Sequence, residues 1–200
     1  MTIYRLEDDL REPLRWCLRA PTNEAADDFT WAFNVAKAAR PTLPLFARLR
    51  RRGRPVDYTL ADFDIPILSS AAMMLFRHHA REHVQFFPVR IEGESDEYFV
   101  MNILTEADCL DETASEIQWW TEGHRTERYR MIVHEVYDRR VTDLPPIFRL
   151  SNFHVAVLVT DELRQAINQA RLTGMVLREI PSNQEAEPAH PAEPSQSSGR

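Results

Sequence analysis

Cysteine is nearly absent from this 200-residue chain, which holds only Cys17 and Cys109. Two are too few for a disulfide framework, and an Arg/Leu-rich stretch around one and an acidic stretch around the other share no metal-ligand spacing. They read as free thiols of a reducing compartment. Glycine is scarce too, at five residues, so no glycine-rich phosphate loop can be assembled. Ser69 and Ser70 also lack the glycine-flanked elbow that a nucleophilic serine needs. Neither cysteine has a histidine beside it in sequence to serve as its base. No apolar run reaches the length of a membrane span. The opening MTIYRLEDDLREP carries acidic residues within ten positions and no apolar segment of signal-peptide length. The expectation is a cytoplasmic chain with no membrane partner.

Charge is unevenly spread. The formal net charge of -7 argues against nucleic acid as a partner, because neutralising phosphates is the main source of affinity there. From Glu92 to Glu116 nine carboxylates (Glu92, Glu94, Asp96, Glu97, Glu106, Asp108, Asp111, Glu112, Glu116) stand without one lysine or arginine. From Arg48 to Arg54 five of seven residues are arginine. Each run suits a solvated face, and Leu45, Ala47 and Leu49 alternate with Arg48, Arg50 and Arg52 as a half-buried strand requires. An acidic face without cations repels itself, so neutralisation by a basic partner is the competing reading.

A hydrophobic content of 44% is enough for an ordinary core. After Ile180 the sequence PSNQEAEPAHPAEPSQSSGR has four prolines and no Val, Ile, Leu, Met or aromatic residue. Nothing there offsets the entropy of ordering, so residues 181–200 are expected to be disordered and residues 1–180 to form a single domain. Within it, strands are expected over 2–6, 45–52, 56–60, 84–92, 97–105, 117–121, 128–136 and 147–150, with turns at Gly53, GESD and EGHRTE. Residues 21–40 suit a helix through Ala25, Ala26, Phe29 and Phe33, and a strand through Phe29, Trp31, Phe33 and Val35. Both remain open.

The chain also repeats itself. DFDIPILSSAAMMLF (62–76) and NFHVAVLVTDELRQAI (152–167) each open on an Asx-Phe pair, pass through a short apolar run and reach a hydroxyl that starts a helix. Ninety positions separate Leu68 from Leu158 and Ser70 from Thr160. In the second copy Val155–Val159 reads as a strand. Thr160 is the N-cap, followed by Asp161 and Glu162, and Leu163, Ala166, Ile167 and Ala170 form a helix face; Gly174 then turns the chain into a strand over 175–180. In the first, 65–68 is the strand, Ser69 or Ser70 the cap, and Ala72, Leu75, Phe76 and His79 the buried face, leading into 84–91. Together these predict an α+β fold, a mainly antiparallel sheet with two related strand-helix-strand units over 62–91 and 152–180.

YRLEDDL, RWCL, Trp31, DFDIPILSS, QFFPVRIEG, YFVMNILTEADCLD, SEIQWW, IFRLSNF, VLVTDELRQAI and LTGMVLREI, in that order from Tyr4 to Ile180, resemble the bacterial polymorphic-toxin immunity family, immunity protein 11. The resemblance implies a cytoplasmic, non-enzymatic protein without a cofactor. It would be made beside a contact-delivered toxin from a neighbouring gene and would bind that toxin. Of the matching positions, Asn102, Asp108, Ser115, Phe148 and Gly174 suit maintenance of the fold, glycine because a left-handed turn favours it.

Two rival classes are a metal-dependent enzyme and a self-associating scaffold. RHHAREH places His79 and His83 four apart, the spacing that puts two imidazoles on one helix face. Ala80 stands where a zincin motif needs glutamate, and His124, His134 and His154 are scattered, so no metal site is assigned. A scaffold would show a large apolar patch pairing with its own copy. For a toxin contact the candidates are Asp108, Asp111 and Glu112 on the loop after Leu104, Glu94 and Asp96 at the preceding turn, and the adjacent Trp119 and Trp120. On a strand, one of these two rings faces the core and the other does not.

Overall fold

The computed structural model describes residues 1–25, 30–120 and 128–183. The chain opens with β1 (Ile3–Asp8) and passes through β2 (Cys17–Leu18), the single turn α1 (Thr30–Phe33), β3 (Leu45–Ala47) and β4 (Leu49–Arg51). The first repeat follows as β5 (Tyr58–Ala61), β6 (Ile65–Ser69), α2 (Ser70–Ala80), β7 (Val84–Ile91) and β8 (Tyr98–Ile103). Then come β9 (Glu106–Ala107), β10 (Glu116–Trp119) and β11 (Tyr129–His134), and the second repeat, β12 (Ile147–Leu150), β13 (Phe153–Thr160), α3 (Asp161–Ala170) and β14 (Met175–Ile180).

Each repeat builds a five-stranded sheet, one in the order β3-β7-β8-β6-β5 and the other β14-β1-β13-β12-β9. In the first, α2 carries the chain from β6 past one strand to β7, and β8 returns between them, antiparallel to both. In the second, α3 likewise joins β13 to β14, but the strand between them is β1, from the start of the chain. Antiparallel pairing dominates, and the parallel pairs β3·β7 and β9·β12 sit at sheet edges. The fold is α+β, as the sequence predicts.

The spacing between copies needs correction. The caps are Ser69 and Thr160; Ala72 and Leu163 are buried helix positions, as are Phe76 and Ile167; and Val84 and Met175 begin the return strands. Every pair lies 91 positions apart. Leu68 shares the central core with Val159, whereas Leu158 points to an outer core. Side chains alternate along a strand, so the one-residue slip in aligning Leu68 with Leu158 exchanges the two faces.

The central core gathers Tyr4 and Leu6 of β1, Tyr58, Leu68, Met101, Val157 and Val159 of the sheets, and Ala72, Phe76, Leu163 and Ile167 of both helices. Each large side chain buried there contributes roughly 1.5–3 kcal/mol. The helices enter it from different N-termini: Ser69 Oγ accepts the Ala72 N–H at 3.3 Å, while the Thr160 hydroxyl makes no capping bond and Asp161 and Glu162 occupy the first turn. The outer faces carry their own clusters. Trp16, Phe33 and Leu45 cover one sheet, and Cys109, Tyr129 and Tyr137 cover the other.

Three further expectations change. The strand over 45–52 is two strands, β3 beside β7 and β4 beside β2, because the chain crosses from one sheet to the other at Arg48, whose carbonyl accepts the Arg19 N–H. Residues 30–40 form neither a long helix nor a strand beyond the one turn of α1, and Ala36 takes φ 48°; 26–29 lie outside the described residues. Pairing continues past Ile180. Ser182 bridges Tyr137, the Asn183 N–H donates to the Tyr137 carbonyl, and Asn183 Nδ2 donates to Asp111. Residues 184–200, on which most of the disorder expectation falls, lie outside the described residues. No described helix is long and apolar enough to cross a membrane.

Where the halves meet, Asp8 accepts the Leu60 N–H at 2.7 Å and pairs with Arg15 at 2.8 Å. Burial outweighs both partners and, with Asp64 nearby, pushes the Asp8 carboxyl up to about 6. A folded-state value above the unfolded one makes the folded chain bind the proton first. The destabilisation is therefore full above pH 6 and is relieved as pH falls towards the unfolded value near 4. Urea unfolding of wild type should contain a component that strengthens over that window by up to about 3 kcal/mol. Asp8→Asn should lack it, whatever its absolute stability.

Candidate functional site

The β10–β11 hairpin lies over the outer core of the second sheet and pairs with no other strand among the described residues. Two register shifts, between Glu116 and Ile117 and between Gln118 and Trp119, break its alternation. Tyr129 and Ile132 therefore both turn inward, at 1% and 9% exposure, and leave Met131 and Val133 outside at 44% and 52%. Trp119 is 46% exposed.

Around Trp119 the neighbours are ordered. Its ring meets Tyr129 edge-on, with centroids 5.2 Å apart and an 81° interplanar angle. The Arg128 guanidinium lies 5.1 Å above the Trp119 ring and pairs with Glu112 at 3.1 Å. Tyr129 donates its hydroxyl to Glu112, and burial followed by that bond raises the phenol well above its usual range, so it stays a neutral donor. Arg130 lies 5.7 Å from the Trp120 ring. Neither tryptophan is a core residue: Trp120 is half-buried. An exposed cation over an aromatic ring contributes about 0.5–1 kcal/mol, enough to bias the Trp119 rotamer while leaving much of the ring open.

The structure brings Asp108, Glu112, Trp119 and Trp120 to this hairpin and separates the other candidates from it. Asp108 is exposed and makes no hydrogen bond or ion pair among the described residues; its charge raises both the Cys109 thiol and the Tyr129 phenol. Asp111 is a turn builder. Its carboxylate accepts the Thr113 and Ala114 N–H groups at 2.9 and 3.0 Å and Asn183 at 3.0 Å, and these bonds hold it below the usual carboxylate range. Glu94 and Asp96 lie on the β7–β8 turn of the other sheet, rimming a cavity of about 560 Å³ with Leu43, Pro44, Pro88 and Phe99. No hydrogen bond or ion pair among the described residues joins them to the hairpin.

Nor does the acidic run stand without partners in three dimensions. Arg128 supplies a cation to Glu112 from 16 positions on, the His154 ring hydrogen-bonds Glu106 from 48, and Glu92 accepts the Leu49 N–H. Sequence reasoning missed Arg128, Tyr129, Met131 and Val133. The residues were visible in YRMIVH, but the register shifts that decide which of them face out were not.

Asn102, Ser115 and Phe148 belong to the fold. Asn102 donates to the Lys37 carbonyl, Ser115 Oγ bonds both the N–H and the carbonyl of Val136, and Phe148 is fully buried. Asp108 alone of the motif set stands free at the surface. The histidines are spread over α2 (His79), the following 3-10 turn (His83), β11 (His134) and β13 (His154), with His124 outside the described residues. Among the described residues no group of three His, Cys, Asp or Glu side chains is placed to hold a metal. Burial drives the Cys109 thiol up to about 12, the reverse of what a nucleophile needs.

The hairpin exposes a half-open tryptophan, two aliphatics and a mixed-charge rim. Residues 3–182 match the profile of the immunity protein family (Imm11), and the chain belongs to that family. A comparison with curated proteins gives no match.

Proposed function

We propose that the chain is the immunity partner of a toxin protein delivered between bacterial cells and encoded by a neighbouring gene, and that it neutralises the toxin by occluding it. Family membership supports the toxin, and the exposed Trp119 with its Arg128 and Glu112 neighbours supports the β10–β11 hairpin as contact surface. Interfaces concentrate their energy in a few aromatic and arginine anchors ringed by polar groups, which is the arrangement here. A toxin that acts on nucleic acid presents a basic cleft for phosphates; Asp108 carries charge to occupy it, and a nuclease is the toxin class this surface fits.

The test of function is survival. Cells expressing the neighbouring toxin should live when this chain is co-expressed, and the two proteins should co-purify. Death despite good expression would reject the assignment.

Charge at the rim has its own signature. Asp108→Lys leaves the fold intact, since the side chain has no partner to lose, and should lower the association rate with that toxin several-fold at low salt while flattening its salt dependence. A rate equal to wild type at low salt would remove Asp108 from the interface.

A further inference from the structure

The arginine run finds its neighbours at the junction of the two halves. Leu10, Leu14 and Phe63 are 77%, 76% and 60% exposed, among the most exposed large apolar side chains of the protein. Leu10 and Phe63 line one cleft together with Arg15, Arg50 and Asp62. Leu14 lines a neighbouring hollow with Arg51, Arg52 and Arg54. Arg54 pairs with Glu12 and donates its N–H to the Leu14 carbonyl at 2.7 Å, and Arg50 pairs with Asp62 at 2.8 Å, beside Phe63. Arg19, Arg48 and Arg52 are exposed and have no carboxylate partner among the described residues.

Phe63 is held outward under strain. It takes φ 66° and ψ 28°, and Asp64 follows with φ 56°, a left-handed pair in which neither residue is glycine, and one of them is a bulky aromatic. Such residues persist when their surroundings fix them. Here the Phe63 carbonyl is fixed by Asn34 Nδ2 and Asp62 by Arg50. The second repeat handles its Asx-Phe pair differently. There Leu150 pairs with Phe153 across a two-residue turn, with Asn152, a residue type that tolerates φ 64°, taking the left-handed position. Phe153 is half-buried on the outer core, with Arg5 across its ring. In the first repeat Ala61 pairs with Ile65 across three residues, and Phe63, the middle one, stands in solvent. The same Asx-Phe pair thus packs in one copy and is presented in the other.

We infer that Phe63, Leu10 and Leu14, with Arg50, Arg52 and Arg54 beside them, are a second contact region for the toxin, taking a surface with an apolar hollow flanked by carboxylates. This rests on the proposed toxin-binding function. Nucleic acid fits less well, because bulky aliphatic side chains stand among the arginines where phosphates would lie.

Phe63→Gly separates contact from strain, because glycine takes the left-handed conformation without penalty. The variant should melt no lower than wild type and bind the neighbouring gene's toxin about 30-fold or more weakly, the loss of one anchor residue. Arg52→Glu should slow association several-fold at low salt and converge on wild type at high salt. Wild-type binding with Phe63→Gly within threefold of it overturns the second region and leaves the hairpin contact standing. No binding by wild type overturns the toxin assignment and this inference together. Weaker binding accompanied by a large loss of stability in Phe63→Gly would place Phe63 in the fold and also overturn it.

Discussion

Gly174→Ala should lower the unfolding free energy by about 2–5 kcal/mol. Two costs add. Gly174 sits at φ +85°, where an alanine loses roughly 1–2 kcal/mol. A Cβ there would stand 2.1 Å from the Tyr58 carbonyl oxygen and 2.9 Å from the Val56 side chain. The crowding arises because the loop after α3 crosses directly against β5 of the other half. Tyr58 N–H donates to the Thr173 carbonyl at 3.1 Å, Asp9 N–H to the Gly174 carbonyl at 3.0 Å, and Asp57 accepts from both the N–H and the hydroxyl of Thr173. A methyl group at 174 has to push the halves apart and stretch all of these. Gly93→Ala is the matched control: its φ is +82° but nothing lies within 4 Å of the added carbon, so it should lose only the conformational part, roughly 1–2 kcal/mol. Urea midpoints of the two variants, compared at equal m, read the difference directly. Equal losses would mean that the halves yield at this crossing.

The prediction shows where sequence reasoning stopped. Gly174 was readable as a turn glycine, yet the helix before it is ended by Arg171 at φ 53°, and what makes glycine necessary at 174 is the carbonyl of Tyr58. No local pattern reports a neighbour 116 positions away. The repeats were legible because apolar periodicity and a capping serine are local. Their 91-residue register was not, since Leu68 matches Leu158 in letter and Val159 in orientation. The strand that completes each unit was hidden more deeply. β8 follows its helix and β1 precedes everything, so the chain order of the two units differs although their sheets do not.

The candidate site divides in the same way. Trp119 was a candidate anchor from its chemistry, and Asp108 and Glu112 were candidates from the acid-rich loop. Asp111 carries the same charge, but it is consumed by two backbone N–H groups and Asn183. Spacing places a carboxylate on a loop; only the fold says whether the loop itself uses it. The repeated Asx-Phe pair was visible too, whereas the placing of Phe63 in a turn and of Phe153 at the start of a strand was not.

Trp119→Ala should weaken binding of the neighbouring gene's toxin by about 2–4 kcal/mol, roughly 30- to 1,000-fold. The ring is nearly half exposed at 46%, and among the described residues it meets the edge of Tyr129 and offers a face to Arg128. Each contributes about 0.5–1.5 kcal/mol, so unfolding should move far less than binding if the exposed half is the part that docks. Removing the ring also releases Arg128 to its pairing with Glu112 alone, and rotamer-rich side chains that must be ordered on binding reduce affinity. Trp119→Phe keeps an aromatic face beneath the guanidinium and should recover part of the loss. A double-mutant cycle of Trp119→Ala with Arg128→Ala isolates the pair, with an expected coupling of about 0.5–1 kcal/mol in the free protein and more in a desolvated complex. Calorimetric titration of the toxin supplies the complex values, and urea unfolding the free ones. If Trp119→Ala binds like wild type and unfolds like it too, the exposed half of the ring is surface without a partner, and the hairpin's role reduces to covering the core beneath it.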